Sequence, residues 1–206
     1  NLTKEIEKEL CNFFSEKKIS CIMGEKNEAE KIRKIIFKLK KIQPDDIREM
    51  FFMEYMQSKN ISAQNLEIAE CSLQDAEKLF PLHISYTQEE VLPEWKKINL
   101  ALERLKLEKI LRTQKVLAVK QGNSFCAKAQ TNAISKNFIQ IGGVFTQKEF
   151  RVQGFASTLV KKLAEEFQKE NKKSVLFVNK KNKPAICAYK KAGFSAFAKY
   201  EMLYYK

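Results

Sequence analysis

The run from Ile141 to Ser157, IGGVFTQKEFRVQGFAS, constrains this chain more than any other stretch. A strand pattern from Phe138 to Thr146 leads into a short charged turn, Gln147 to Phe150, and then into Arg-Val-Gln-Gly-Phe-Ala, which opens a helix. The first four backbone N–H groups of a helix lack intrahelical partners, and the positive end of the macrodipole lies there. Such an end accepts phosphate when the approach is uncluttered. Gly154 removes a side chain at the point of closest approach, and Ala156 keeps the next turn small. Behind them Leu159, Val160, Leu163, Ala164 and Phe167 recur at helical spacing and predict a buried face. Strand, anion-binding turn and amphipathic helix follow one another without a gap.

The rest of the chain sets the bounds. Its 206 residues suit one large domain or one domain with a small appendage. Hydrophobic residues make up 44%, among them 15 Phe, so a sizeable core is expected rather than global disorder. No run of about 18 apolar residues predicts a membrane span. The chain begins at Asn1 and shows no signal-peptide h-region. Five scattered cysteines without a CxxC predict reduced thiols and a cytoplasmic protein. A single histidine, His83, argues against a multi-histidine metal site, so no metal is expected.

The formal charge is +13, and its distribution matters more than its size. Residues 1–66 carry 13 basic against 11 acidic side chains, whereas residues 67–206 carry 25 against 14. A solvated lysine-rich surface accounts for this as well as a field that steers a polyanion does. Arginine is sparse, and no aromatic–Arg/Gly alternation suggests base stacking, so RNA is the less economical polyanion.

Taken in order, the pattern predicts a helix from Thr3 to about Lys17 and a strand from Ile19 to Met23 ending at Gly24. A helix over about Glu28 to Lys40, stopped by Pro44, and a strand over Glu49 to Met56 follow, with a polar connection from Gln57 to Asn65. Residues 1–65 read as a small α/β subdomain without chemical motifs, a structural appendage or a dimer-forming unit, with a degenerate half resembling the fold of the residues that follow as the alternative that no motif carries. Leu66 to Cys71 alternates as a strand, and Ser72 is placed to cap a helix from Leu73 to Phe80. A loop over Tyr86 to Pro93 and a long helix from Glu94 to about Arg112 come next. Two strands, Lys115 to Lys120 and Ser124 to Ala129, join through the hairpin signal Gln121-Gly122-Asn123, and Asn132 to Asn137 turns into the central strand. Lys173 to Val178 is a short apolar run expected to be covered on both faces, Asn182 to Lys191 is helical, and Phe194 to Tyr205 supplies the last one or two strands.

Two blocks in this order carry a family resemblance. Arg151-x-x-Gly154-x-Ala156 after a strand resembles the pyrophosphate-binding motif of the GNAT superfamily of acetyl-CoA-dependent N-acetyltransferases. Asn182-x-x-Ala185-x-x-x-Tyr189-x-x-x-Gly193-Phe194 is similar to that family's C-terminal motif. The resemblance covers residues 66–206. It implies a mixed α/β fold whose sheet is splayed and flanked by helices, here preceded by the small α/β subdomain. It implies acetyl-CoA as co-substrate, held like a missing strand beside the central strand, and an amine acceptor. Backbone groups of Val144, Phe145 and Thr146 would bind pantetheine and polarise the thioester carbonyl. The amides of Val152, Gln153, Gly154, Phe155 and Ala156, continuing to Ser157, would hold the pyrophosphate, with Arg151 adding charge. Asn182 would contact coenzyme A, or cap its own helix two residues before Pro184, or both. Tyr189 would be the general acid that protonates the departing thiolate, since a phenol of pKa about 10 can give a proton and recover it.

The general base is the gap in this pattern. A lysine-type acceptor pays about 4.6 kcal/mol to be neutral at pH 7. The family often places a carboxylate on the central strand, yet Asn137 to Thr146 contains none. The resemblance implies that Glu89 and Glu90 lie in the segment that usually shapes the acceptor pocket, where they would attract an ammonium group; Glu149 reads as a turn carboxylate, and His83 as a packed or surface residue. Three readings remain: an N-acetyltransferase acting on a primary amine by direct transfer, an acyl-CoA-sensing module of the same shape without turnover, and an RNA-associated basic protein.

Overall fold

The structure is a computed structural model that describes residues 4–57, 66–93 and 95–206. The expected connection over 58–65 and the expected helix start at Glu94 fall outside the described residues. The chain divides into two compact units, one of residues 1–52, 179–181 and 197–206, the other of residues 53–178 and 182–196. The smaller unit thus takes in the end of the chain as well as its beginning, a division that a cut along the sequence at residue 65 does not follow.

In the smaller unit, α1 (Lys4–Ser15) and α2 (Lys26–Lys40) flank β1 (Cys21–Glu25), which pairs antiparallel with the end of β8 (Phe194–Tyr204) from Cys21 opposite Tyr204 to Glu25 opposite Tyr200. Ile19, Ala29, Ile36, Leu203 and Tyr205 form its core, with Phe14, Ile22 and Ile32 packed around them. Most of β2 (Asp46–Tyr55) also belongs here. α2 ends at Lys40, before Pro44 can act. Lys41 turns left-handed (φ +57°), and its N–H donates to Phe37 O.

The larger unit holds β3 (Ile68–Glu70), β4 (Val116–Gln121), β5 (Ser124–Ile134), β6 (Phe138–Thr146) and β7 (Lys173–Asn179), hydrogen-bonded in the order β7-β6-β5-β4-β3. All neighbours are antiparallel except β6 and β7. All four of Val116, Leu117, Ala118 and Val119 are buried, so both faces of the sheet are covered there. Val116, Ala118, Phe125 and Phe145 join Leu79 and Leu82 of α3 (Ala76–Tyr86) and Leu107 and Leu111 of α4 (Leu100–Thr113) in one apolar cluster. Side chains alternate across a strand, so Leu117 and Val119 point to the other face, where α5 (Phe155–Lys169) packs with Leu159, Val160, Leu163 and Ala164 buried. α6 (Lys183–Lys191) packs against α5.

The central strand spans the predicted residues, Phe138–Thr146. Two expectations fail nearby. The segment after Tyr86 is not a loop: α3 runs to Tyr86 and Thr87–Val91 continues as a π-helical turn, stitched by the Thr87 hydroxyl donating to His83 O. The long helix begins at Leu100, because the Asn99 side chain accepts from Leu102 N and caps it. Its buried line is Glu103, Leu107 and Leu111, while Leu100, Leu102 and Leu105 are exposed. β5 also outruns its predicted end by five residues and turns at Ser135, whose hydroxyl donates to Phe138 O.

Candidate functional site

β6 and β7 pair in parallel from Phe138–Lys173 to Ile141–Leu176, and there the ladder stops. β6 runs on to Thr146 and β7 to Asn179. The divergence has a local cause on the other edge of β6. Gln130 faces Gly142 and Lys128 faces Phe145, so Gly143 and Val144 stand opposite the single Ala129. A bulge of this kind bends its strand. Gly143 takes φ +56°, and a methyl group there would run into the Gln130 side chain, so glycine suits both the conformation and the space. Val144, Phe145 and Thr146 lie on the diverging end. Phe145 is buried, and the buried Thr146 Oγ1 has no hydrogen-bond partner.

Lys148–Phe150 then makes a single 3₁₀ turn, Val152 takes φ +66° and Gly154 φ +81°. A left-handed β-branched residue stores about 1–3 kcal/mol of strain, and the Val152 side chain is fully in solvent, so no packing offsets it. Gly154 is the N-cap of α5 and offers the first helical N–H groups no side-chain acceptor. No acidic residue occupies the first turn of α5. Phe155 and Ser157 are buried, and the Ser157 and Thr158 hydroxyls both donate to Gly154 O, leaving the amide side of Gln153 to Ser157 without a hydroxyl acceptor from those two residues. Strand, turn and helix thus follow in the expected order, and the structure adds that the turn is left-handed at Val152 and Gly154 and that the helix start has no side-chain cap.

Arg151 is not a free positive charge. Its Nε donates to Thr146 O at 3.0 Å, its guanidinium pairs with Glu89 at 2.7 Å, and it lies over the Phe145 ring. Asn182 is committed as well. Its Oδ1 accepts from Ala185 N, the capping role, and its Nδ2 donates to both carboxylate oxygens of Glu90 at 3.1 Å. Glu89 and Glu90 sit on the π-helical turn, which therefore reaches both blocks that carry the resemblance. The resemblance implied that these carboxylates lie in the segment that shapes the family's acceptor pocket; nothing in their spacing signals the two partners.

Tyr189 is buried on α6, and burial pushes its phenol well above the ordinary value, with Tyr86 and Glu90 adding to the effect. The hydroxyl therefore keeps its proton at neutral pH. His83, on α3, packs rather than lines the surface: its Nε2 lies 3.1 Å from Glu103 Oε2 and its buried Nδ1 has no partner. Burial and the nearby Lys128 hold His83 below its usual pKa, so it is neutral at pH 7. Burial pushes Glu103 up, but Lys106 and His83 outweigh it and keep the carboxyl below its usual range. Lys128, on β5, is fully buried in the same layer. Only its position in Phe125-Cys-Ala-Lys-Ala, a cation inside an apolar run, marks it in the sequence. Among the described residues, no group of three or more His, Cys, Asp or Glu is placed to hold a metal ion, and no helix is long and apolar enough to cross a membrane.

Residues 123–203 match the family described as FR47-like protein. No curated protein matches the sequence. Among solved structures, the chain is similar to a putative GNAT-family acetyltransferase from Novosphingobium aromaticivorans, with a TM-score of 0.61 at 18% identity over 78% of this chain and 65% of that one. It is also similar to a GNAT-family acetyltransferase from Colwellia psychrerythraea, with a TM-score of 0.65 at 10% identity over 97% of this chain and 72% of that one. A predicted acetyltransferase from Clostridium acetobutylicum, solved with acetyl-CoA, aligns with a TM-score of 0.52 at 17% identity, covering 64% of this chain and 91% of its own.

Proposed function

We propose, on the premise that the chain has the fold of the GNAT superfamily, that it transfers an acetyl group from acetyl-CoA directly to a primary amine. The observation that carries this reading is the juxtaposition along one stretch of chain: a strand that leaves its neighbour after Ile141, followed by a left-handed turn into an uncapped helix. The first offers backbone donors and acceptors at an open strand edge, the second offers N–H groups and dipole to an anion. A thioester with a diphosphate at its far end needs both.

In this reading the backbone of Val144 to Thr146 binds pantetheine and polarises the thioester carbonyl, and the amides of Val152 to Ser157 hold the pyrophosphate. Arg151 fixes the turn through Thr146 O and Glu89. Asn182 reaches coenzyme A only by releasing Glu90. Tyr189 protonates the leaving thiolate; burial makes its phenol a weaker acid than a free tyrosine, so the role rests on the resemblance of its block and not on that shift. Residues 1–65 supply no coenzyme contact. The Clostridium acetobutylicum neighbour, solved with acetyl-CoA, supports the choice of donor.

A second reading has its own observation. β6 carries no carboxylate, and among the described residues Glu89 and Glu90 are engaged with Arg151 and Asn182, so neither stands ready as a base for the acceptor. An acyl-CoA-binding module without turnover fits that. Tyr189→Phe separates the two. It keeps the ring and removes the proton, so acetyl-CoA affinity should stay within a few-fold while turnover drops by about two orders of magnitude. Equal rates in the two proteins would remove Tyr189 from the mechanism, and wild-type protein that binds acetyl-CoA but acetylates no amine class would favour the module.

A further inference from the structure

A buried amine lies directly beneath the bend in β6. Lys128 Nζ donates to Gln130 Oε1 at 2.9 Å and to Gly143 O at 3.0 Å, and it stands 4.9 Å from the centre of the Tyr86 ring. Its cross-strand neighbours are Ala118 and Phe145, both members of the apolar cluster under α3 and α4. A methionine would fill this space without the cost of burying an amine, so packing does not account for a lysine here. The two acceptors and the ring face make its burial tolerable, and one of those acceptors is the carbonyl of the bulge itself.

The peptide unit is planar and trans, so a carbonyl oxygen and the N–H of the following residue point in opposite directions. Holding Gly143 O toward Lys128 therefore turns the Val144 N–H away from it. We infer that Lys128 is a positioning residue for acyl transfer: through Gly143 O it fixes the direction of the Val144 N–H at the bend, where a donor polarises the thioester carbonyl. This rests on the acetyl-CoA reading above. Burial pushes the amine down to about 7, but it offers at least two N–H donors with or without the extra proton, so the tether to Gly143 persists in both states. A donor held in advance at the developing oxyanion stabilises the transition state without reorganising at the moment of reaction. Gln130 supports the tether from the side, since its Oε1 holds the same amine and its Nε2 donates to Asn132 Oδ1 at 3.3 Å.

The test is the carbonyl stretch of acetyl-CoA bound to wild-type protein, Lys128→Met and Gln130→Met, read by infrared difference spectroscopy with a ¹³C-labelled thioester carbonyl. The wild type should lower the stretch relative to free acetyl-CoA. Lys128→Met should lose at least half of that lowering at an affinity preserved within a few-fold, and Gln130→Met, which leaves the Gly143 bond in place but unsupported, a smaller part. Where an amine is acetylated, turnover of Lys128→Met should fall about 10- to 100-fold with little change in KM for acetyl-CoA, at or below the loss of a whole oxyanion donor. A merely structural lysine would lower the melting temperature and leave the stretch unchanged, which overturns the inference while the functional reading stands. If Lys128→Met does not fold, an unchanged stretch in Gln130→Met overturns it equally. Wild-type protein that does not bind acetyl-CoA overturns the functional reading, and the inference falls with it.

Discussion

Two helices of the larger unit begin in opposite ways, and the difference locates the candidate anion site. α6 closes its own N-terminus: Asn182 caps Ala185 N, Pro184 contributes no N–H, and Glu90 stands beside the cap. α5 begins at a glycine with no side-chain cap and no acid in its first turn. Capping is worth about 1 kcal/mol at an ordinary helix start, and α5 forgoes it. The 15-residue helix can forgo it because Leu159, Val160, Leu163, Ala164 and Phe167 bury its inner face. An end left open in a helix that well anchored is available to a ligand; an end that has satisfied itself is not.

The comparison breaks most sharply if α5 is made to resemble α6. Gly154→Asp places a carboxylate where it can accept from the helix N–H groups and repel an anion. The free protein should lose little stability, because a gained cap offsets the strain of a side chain at φ +81°. Acetyl-CoA at about 100 times its dissociation constant should raise wild-type stability by about 2.7 kcal/mol, and that gain should vanish in the variant. Gly154→Ala adds bulk without charge and should keep part of it. Melting curves with and without acetyl-CoA decide this, and a full shift in Gly154→Asp would move the anion site elsewhere.

How far the sequence foretold this contrast depends on how local each cause is. The strand Phe138–Thr146, the turn and the start of α5 are set by neighbours in the chain, by alternation, by Gly154 and by the apolar spacing behind it, and they were legible. Ser72 was legible for the same reason: its hydroxyl accepts from Gln74 N and the Asp75 carboxylate accepts from Ser72 N, a cap contained within four residues. The start of α4 was not, because leucines at 100, 102 and 105 imitate a buried face that the fold assigns to Glu103, Leu107 and Leu111. Pairing of β1 with the end of β8 joins residues some 180 apart, and no local signal carries that register. Lys128 was missed for a related reason. A lysine in a strand reads as solvent-facing, and only the contact with Gly143, 15 residues on, shows what it holds.

A smaller effect is expected at the closed end. Asn182→Ala removes the acceptor for Ala185 N and the two hydrogen bonds to Glu90, so stability should fall by about 1 kcal/mol. Coenzyme affinity should change by no more than a few-fold, because an Asn182 contact with coenzyme A would first have to break two hydrogen bonds to Glu90. Denaturation and titration with acetyl-CoA measure the two effects separately. A loss of affinity by more than tenfold at unchanged stability would make Asn182 a coenzyme ligand first and a cap second.

The smallest effect belongs to Val152, and it asks whether the strain in the turn serves the open end or only accompanies it. Val152 holds φ +66° with its side chain wholly in solvent, three residues ahead of the first residue of α5. Glycine adopts that conformation without the β-branched penalty, of about 1–3 kcal/mol, but it also adds conformational freedom to the unfolded chain worth about 0.5–1 kcal/mol against folding. The two terms oppose each other and the strain term is the larger. Val152→Gly should therefore stabilise the free protein by about 0.5–1 kcal/mol. No side-chain contact is lost, and the backbone amides keep their directions, so acetyl-CoA affinity should stay within a few-fold. A chemical denaturation midpoint raised at constant slope would show the gain. Unchanged stability with weakened binding would mean instead that the valine restrains the turn in the state that receives the pyrophosphate, and that the open end of α5 depends on the residues before it as much as on its missing cap.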